Sequence, residues 1–410
     1  MNLFLRNWLR ISFFNLFLVS GIGVLLRYKI AFSLPFIDQK HLLHGHSHFA
    51  FAGWITQVLM VLLVQYLSRY KGEGVFKTYR WLLYGNLLTA YGMLIFFPLQ
   101  GYGIGSISFS TLSIINSYFF AIRFWKDLNS TGAKNFSHLW FKAALVFYAM
   151  SSLGAFSLAF MMANKIIHQN WYLAAVYYFL HFQYNGWFFF AGMGLLVSRF
   201  ENIIPAGKHK IIFWLFSLAC VPEYFLSALW MPIPLLIYWL VIISAIAQLA
   251  GWAMLIKIFF KNKVFIKAEF PVQGRQLLML SAIALSIKLL LQAGSTHPAL
   301  SQLAFGFRPI VIGYLHLVLL GVITIFIIGY IISIQLLIPN RYLIAGARIF
   351  IAGIVINEFF LMLQGVTGLS YIIIPYINEL LLFAGSVMCS GILLMYLNVR
   401  KSNNNIRNTI

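Results

Sequence analysis

Apolar residues in this chain form long, nearly unbroken runs. They follow neither the one-sided stripe of a soluble helix nor the alternation of a half-buried strand. A helix needs roughly 17–25 mostly apolar residues to cross the hydrocarbon of a bilayer. Twelve stretches meet that length, at about 11–34, 44–67, 80–99, 104–124, 139–163, 171–198, 211–230, 233–256, 276–293, 309–333, 345–366 and 376–398. The pattern therefore predicts an all-α protein, a polytopic membrane bundle of about 12 transmembrane helices. No polar stretch between the runs is long enough to form an extramembrane domain. Residues 1–400 read as a single transmembrane helical domain and 401–410 (KSNNNIRNTI) as a short polar cytoplasmic tail. The opening MNLFLRNWLR is basic and shows no small-residue cleavage pattern, which predicts an uncleaved first span rather than a signal peptide.

Composition narrows the function. With 61% hydrophobic and 9% charged residues, against about 45–50% and about 25% in soluble domains, a soluble enzyme is excluded. The net charge of +21 raises the question of a nucleic-acid partner, and the placement of the charge answers it. With the N-terminus inside, 23 of the 29 Lys and Arg fall in cytoplasmic segments, including Arg69, Lys71, Lys77, Arg80 and the cluster over 257–275. Arg27, Lys29, Lys40, Lys165 and Arg308 fall outside, and Lys288 lies within a span. That bias places both termini in the cytoplasm, and the expected location is a bacterial inner membrane. It makes the charge a topology signal with affinity for anionic lipid, and no nucleic-acid partner is expected. Reporter fusions at Lys71, Lys134, Lys208, Lys263 and Arg341 should all report cytoplasm; two adjacent loops on one side with their intervening turn would overturn the span count. Cys220 and Cys389 lie in apolar runs without CxxC spacing, so neither a disulfide framework nor an iron–sulfur cluster is supported.

Histidine is where the chemistry concentrates. Eight of the ten histidines fall on the outer side, and three groups share a depth. HLLHGHSHFAFAGW carries His44, His46 and His48 into the second span. His181 sits about ten residues into the sixth span, and His316 about seven into the tenth. All three spans run inward, so at 1.5 Å per residue the groups lie roughly 5–15 Å below the outer surface. Intramembrane ionisable residues are costly, and imidazole is both the commonest metal ligand and a haem ligand. On the second helix His41, His44 and His48 share one face, while His46 points about 100° away. His44 and His48 are the favoured pair, because one turn apart they can offer a ligand and its supporting partner.

At these residues the chain resembles the haem–copper oxidase subunit I superfamily, which includes the nitric oxide reductase large subunit and NnrS-like membrane haem proteins. In that family the second helix carries a low-spin haem ligand, the sixth a copper ligand and the tenth axial haem ligands. The matching positions here are His44, His46 and His48, then His181, then His316. The resemblance implies a b-type haem held between a second-helix histidine and His316, with His181 nearby and copper as a further metal. It also implies Arg308, eight residues before His316, as a bidentate partner for a haem propionate. Implied partners are other respiratory subunits or a quinol or cytochrome donor, and the implied role is handling electrons or a diatomic gas (oxygen or nitric oxide) at an outer-half site.

The departures define what is not carried over. The seventh helix, VPEYFLSALW, offers Glu223 where the family has a histidine pair. The tenth helix, GYLHLVLLG, has one histidine rather than two. Four residues after His181 stands Asn185, with Tyr184 at three. A complete haem–copper centre is thus not expected. Two other readings use the same residues: a secondary transporter or permease, and a membrane protein binding copper or zinc without haem. Glu223, Lys288 and Glu358 near mid-span, and Glu379 nearer an end, would serve a transport path as well as a proton path. No internal repeat supports transport. Glu223 and Glu358 are expected to point into protein, since a carboxyl facing lipid has no partner. Gly53, Gly186, Gly192, Gly313 and Gly321 would admit either a neighbouring helix or a flat macrocycle.

Overall fold

A computed structural model describes residues 3–301 and 307–407, and every regular element among them is helical. Helices occupy all twelve apolar runs. They are α1 (Leu3–Ala31), α2 (Gln39–Lys71), α3 (Val75–Gln100), α4 (Ile104–Asn129), α5 (Ser137–Ala163) and α6 (169–200). After them come α7 (Ala206–Cys220, continued by a 3₁₀ turn Pro222–Ala228), α8 (Leu235–Lys261), α9 (Val272–Gly294), α10 (Arg308–Ser333), α11 (Arg341–Leu369) and α12 (Ile377–Arg407). A short helix, Lys263–Glu269, joins α8 to α9.

Ten of these helices are long and apolar enough to cross a membrane, and the bent α7 pair makes eleven. The helix missing from that set is α6, whose His181, Gln183 and Asn185 lower the mean hydropathy of its middle. The expected count of about twelve thus fails for α6 on polarity, not on length. The molecule is an integral membrane protein with a helical bundle.

Two compact units divide the helices: α1–α4 up to Arg123 with the chain from Ile331 onward, and Phe124–Tyr330. In the first, α11 packs on α12 through small residues. A Cβ on Gly391 would stand 2.5 Å from the Phe350 backbone nitrogen, and one on Gly353 would stand 2.8 Å from that of Met388. Lipid is as apolar as leucine, so such close van der Waals packing replaces the hydrophobic drive between helices. In the second unit, the inner end of α6 is fastened by the Arg199–Glu269 ion pair and by Glu201 Oε1 accepting from the Ser137 amide at 2.9 Å.

Among the ten helices that are long and apolar enough to cross, α2 and α10 are the most enclosed, with 89% and 67% of their most apolar stretch buried, against 17% for α4. Both are histidine helices, and they face protein rather than lipid. Gly53, Gly186, Gly192 and Gly321 each stand close to a side chain. Phe49, Phe147, Phe326 and Ala284, respectively, hold the space where a Cβ would go.

Candidate functional site

Asp38 starts α2. Its Oδ1 accepts the His41 amide at 2.7 Å, and that bond holds the exposed carboxyl below the ordinary carboxylate range. Beyond this cap His44, His46 and His48 follow within little more than one turn. Gly45, between His44 and His46, lets α3 come close, since a Cβ there would stand 2.8 Å from Pro98 Cγ. The outer end of α3 therefore supplies the aromatic wall of the histidine face. His48 stacks on Phe97 at 4.3 Å and 9°, and His44 meets Tyr102 edge-on at 4.7 Å. His41 belongs to the same face and occupies the space a Cβ would need at Gly101, which has φ +59°. His46 points to the other side, against Gly23 of α1, with its Cε1 3.3 Å from a Cβ built there.

Two imidazole nitrogens in this group, His44 Nε2 and His46 Nδ1, are buried without a hydrogen-bond partner. A buried polar atom left unpaired costs about 1–3 kcal/mol, so each is a donor atom available to a ligand. The expected face-sharing of His44 and His48 is present, and His46 is equally equipped on the opposite face.

In the second unit, His316 closes the outer segment of α10. Its Nδ1 donates to the Ile312 carbonyl at 3.0 Å, which puts the ring lone pair on Nε2, the tautomer of a metal-ligating histidine. Arg308 is exposed at the first turn of the same helix, ahead of Pro309.

His181 is held differently. Pro222 has no N–H, the chain bends by 40° beyond Cys220, and the Tyr224 amide turns to the Val221 carbonyl. The Cys220 carbonyl accepts instead from His181 Nε2 at 2.7 Å, while Asn185 Nδ2 donates to His181 Nδ1 at 3.1 Å. Both ring nitrogens of His181 are engaged, so metal coordination there would displace one of these bonds. Among the described residues no three His, Cys, Asp or Glu side chains converge as a metal-binding group.

Next to this cage lies the carboxyl of Glu223, 1% exposed, with neither oxygen hydrogen-bonded, and Lys288, 5% exposed, is its charged neighbour. Glu358 is half-buried and accepts from Asn357 Nδ2 at 3.0 Å. Glu223 points into protein, as expected, and Glu358 is partnered there. Two further histidines serve local structure: His168 caps α6 by accepting the Trp171 amide, and His209 stacks on Phe136 at 4.3 Å.

Sequence reasoning missed a feature common to α2, α6 and α10. Each widens into a π turn within two residues of its histidine: Ala50–Thr56 after His48, Phe182–Phe188 after His181 and Leu317–Thr324 after His316. These are the π turns among the described residues. Such turns are rare and gather at functional sites. A clue lay in the sequence: lone amides in otherwise apolar spans, Asn15 and Asn86, whose side chains bond the widened turn of α2.

No protein-family model and no curated protein sequence matches the chain. Among solved structures it matches a chain from a cryo-EM structure of a heme-copper terminal oxidase dimer. The TM-score is 0.64 at 11% sequence identity, over 98% of this chain and 84% of that one. The chain therefore shares its fold with a heme-copper terminal oxidase.

Proposed function

We propose that the protein is a respiratory-type membrane haem protein. A b-type haem is held near the outer face of a bacterial inner membrane, with the histidines of α2 and His316 as the candidate ligands. When bound, the group would supply one-electron chemistry. One observation carries the reading: the histidines of α2 and α10 are prepared as ligands, through buried unpartnered ring nitrogens and a carbonyl-fixed tautomer, on two well-enclosed spans. The shared fold of a heme-copper terminal oxidase supports it. Arg308, exposed at the outer end of α10, is suited to a propionate.

Copper is not included. His181 has both nitrogens engaged, and α7 offers Glu223 in place of histidines. The electron donor is a quinol, a cytochrome or a further respiratory subunit. Protein expressed with ample haem and purified in mild detergent should show a Soret band that sharpens and shifts with dithionite. A colourless protein carrying no iron would overturn the reading in favour of transport or haem-free metal binding.

A further inference from the structure

A π turn inserts one residue into the helical register and leaves backbone carbonyls poorly served by their own helix. In a membrane those carbonyls must be satisfied by protein. Around α2 they are served by two enclosed side-chain amides. Asn86 of α3 donates to the Ala52 carbonyl at 3.0 Å and to Gln57 Oε1 at 2.8 Å. Asn15 of α1 donates to the Gly53 carbonyl at 2.6 Å and is itself oriented by the Tyr91 hydroxyl at 2.8 Å. Asn15, Asn86 and Gln57 are all 0% exposed.

The α10 turn is served in the same way, by Ser281 Oγ of α9 donating to the Val322 carbonyl at 2.8 Å. The geometric consequence is large. One residue of register is about 100° of rotation about a helix axis. Were the α2 turn to relax into regular helix, His44, His46 and His48 would swing by about that angle relative to the inner half of the helix.

We propose that Asn15 and Asn86 are positioning residues that hold the π turn of α2 open and thereby set the direction in which its histidines meet a haem. This rests on the haem reading above. The test uses the purified full chain, with haem transfer to excess apomyoglobin and the EPR g values of the ferric protein as readouts. Asn86→Leu and Asn15→Leu should still bind haem but release it about 10–100-fold faster, the usual loss when support behind a ligand is removed, with displaced g values. Asn86→Gln, which keeps an amide donor, should lie nearer the parent. Leu88→Ala, on the lipid-facing side of α3 at 68% exposed, should match it.

Parental g values and release rates in both leucine variants would overturn the proposal. If those variants fail to accumulate, Tyr91→Phe removes only the hydroxyl that orients Asn15, and a parental spectrum and release rate there would overturn it equally. A parent with no Soret band sinks the haem reading and the positioning role together; a haem-bearing parent with indifferent variants sinks the positioning role alone.

Discussion

Replacing His316 with alanine is expected to reduce bound haem to below about a tenth of the parent, since even residues that merely support a ligand cost 10–100-fold in affinity when lost. The argument starts from the ring. Nδ1–H is committed to the Ile312 carbonyl, so the lone pair sits on Nε2, and a π turn opens immediately below. A tautomer fixed this way puts the lone pair that coordination needs on Nε2. Alanine at His209 should leave the spectrum intact, because that ring stacks on Phe136 and bonds the Glu201 carbonyl at the opposite end of the bundle. Alanine at His138 should be equally silent. Within α2, single alanines at His44, His46 and His48 identify the ligand. Loss at His44 fits its orphaned Nε2 and the expected face, and loss at His46 moves the haem to the α1 side. A His316→Ala protein with the full parental Soret band would end the assignment.

How much of this was legible in the chain depends on whether the cause is local. Span positions were legible, because an apolar run of the right length has one stable arrangement in lipid, and helices occupy all twelve runs. The presence of His44, His46 and His48 on α2, His181 on α6 and His316 on α10 was legible too, since it follows from counting residues. The state of each ring was not. His181 is caged by Asn185 on its own helix and by a carbonyl freed 39 residues away, where Pro222 breaks α7. The α2 turn depends on Asn15 and Asn86, 38 and 34 residues from the carbonyls they serve. Periodicity reports what one helix wants, but a π turn is a bargain between helices. The sequence pattern alone likewise leaves the choice between His44 and His46 open, because each finds its environment on a different neighbour, α3 for one and α1 for the other.

Removing the charge of Lys288 alone should destabilise the protein far more than removing it together with that of Glu223. Glu223 is 1% exposed and Lys288 5% exposed, and the two lie near enough to interact electrostatically without a direct ion-pair contact. Neither carboxyl oxygen of Glu223 has a hydrogen bond to offset the loss of its partner. Taking one member from a buried pair strands the other and typically costs about 3–5 kcal/mol, whereas replacing both by neutral groups of similar size is often close to neutral. The expected order of thermal stability in detergent is therefore parent and Glu223→Gln/Lys288→Met together at the top, with Lys288→Met clearly below. The coupling energy of the double-mutant cycle isolates the pair from the packing lost at either site. Glu223 also neighbours Cys220, whose carbonyl holds His181, so the stranded carboxyl of Lys288→Met disturbs the cage around that ring. If Lys288→Met melts with the parent and the cycle shows no coupling, the two groups are not a pair. The buried carboxyl is then neutral in its own right.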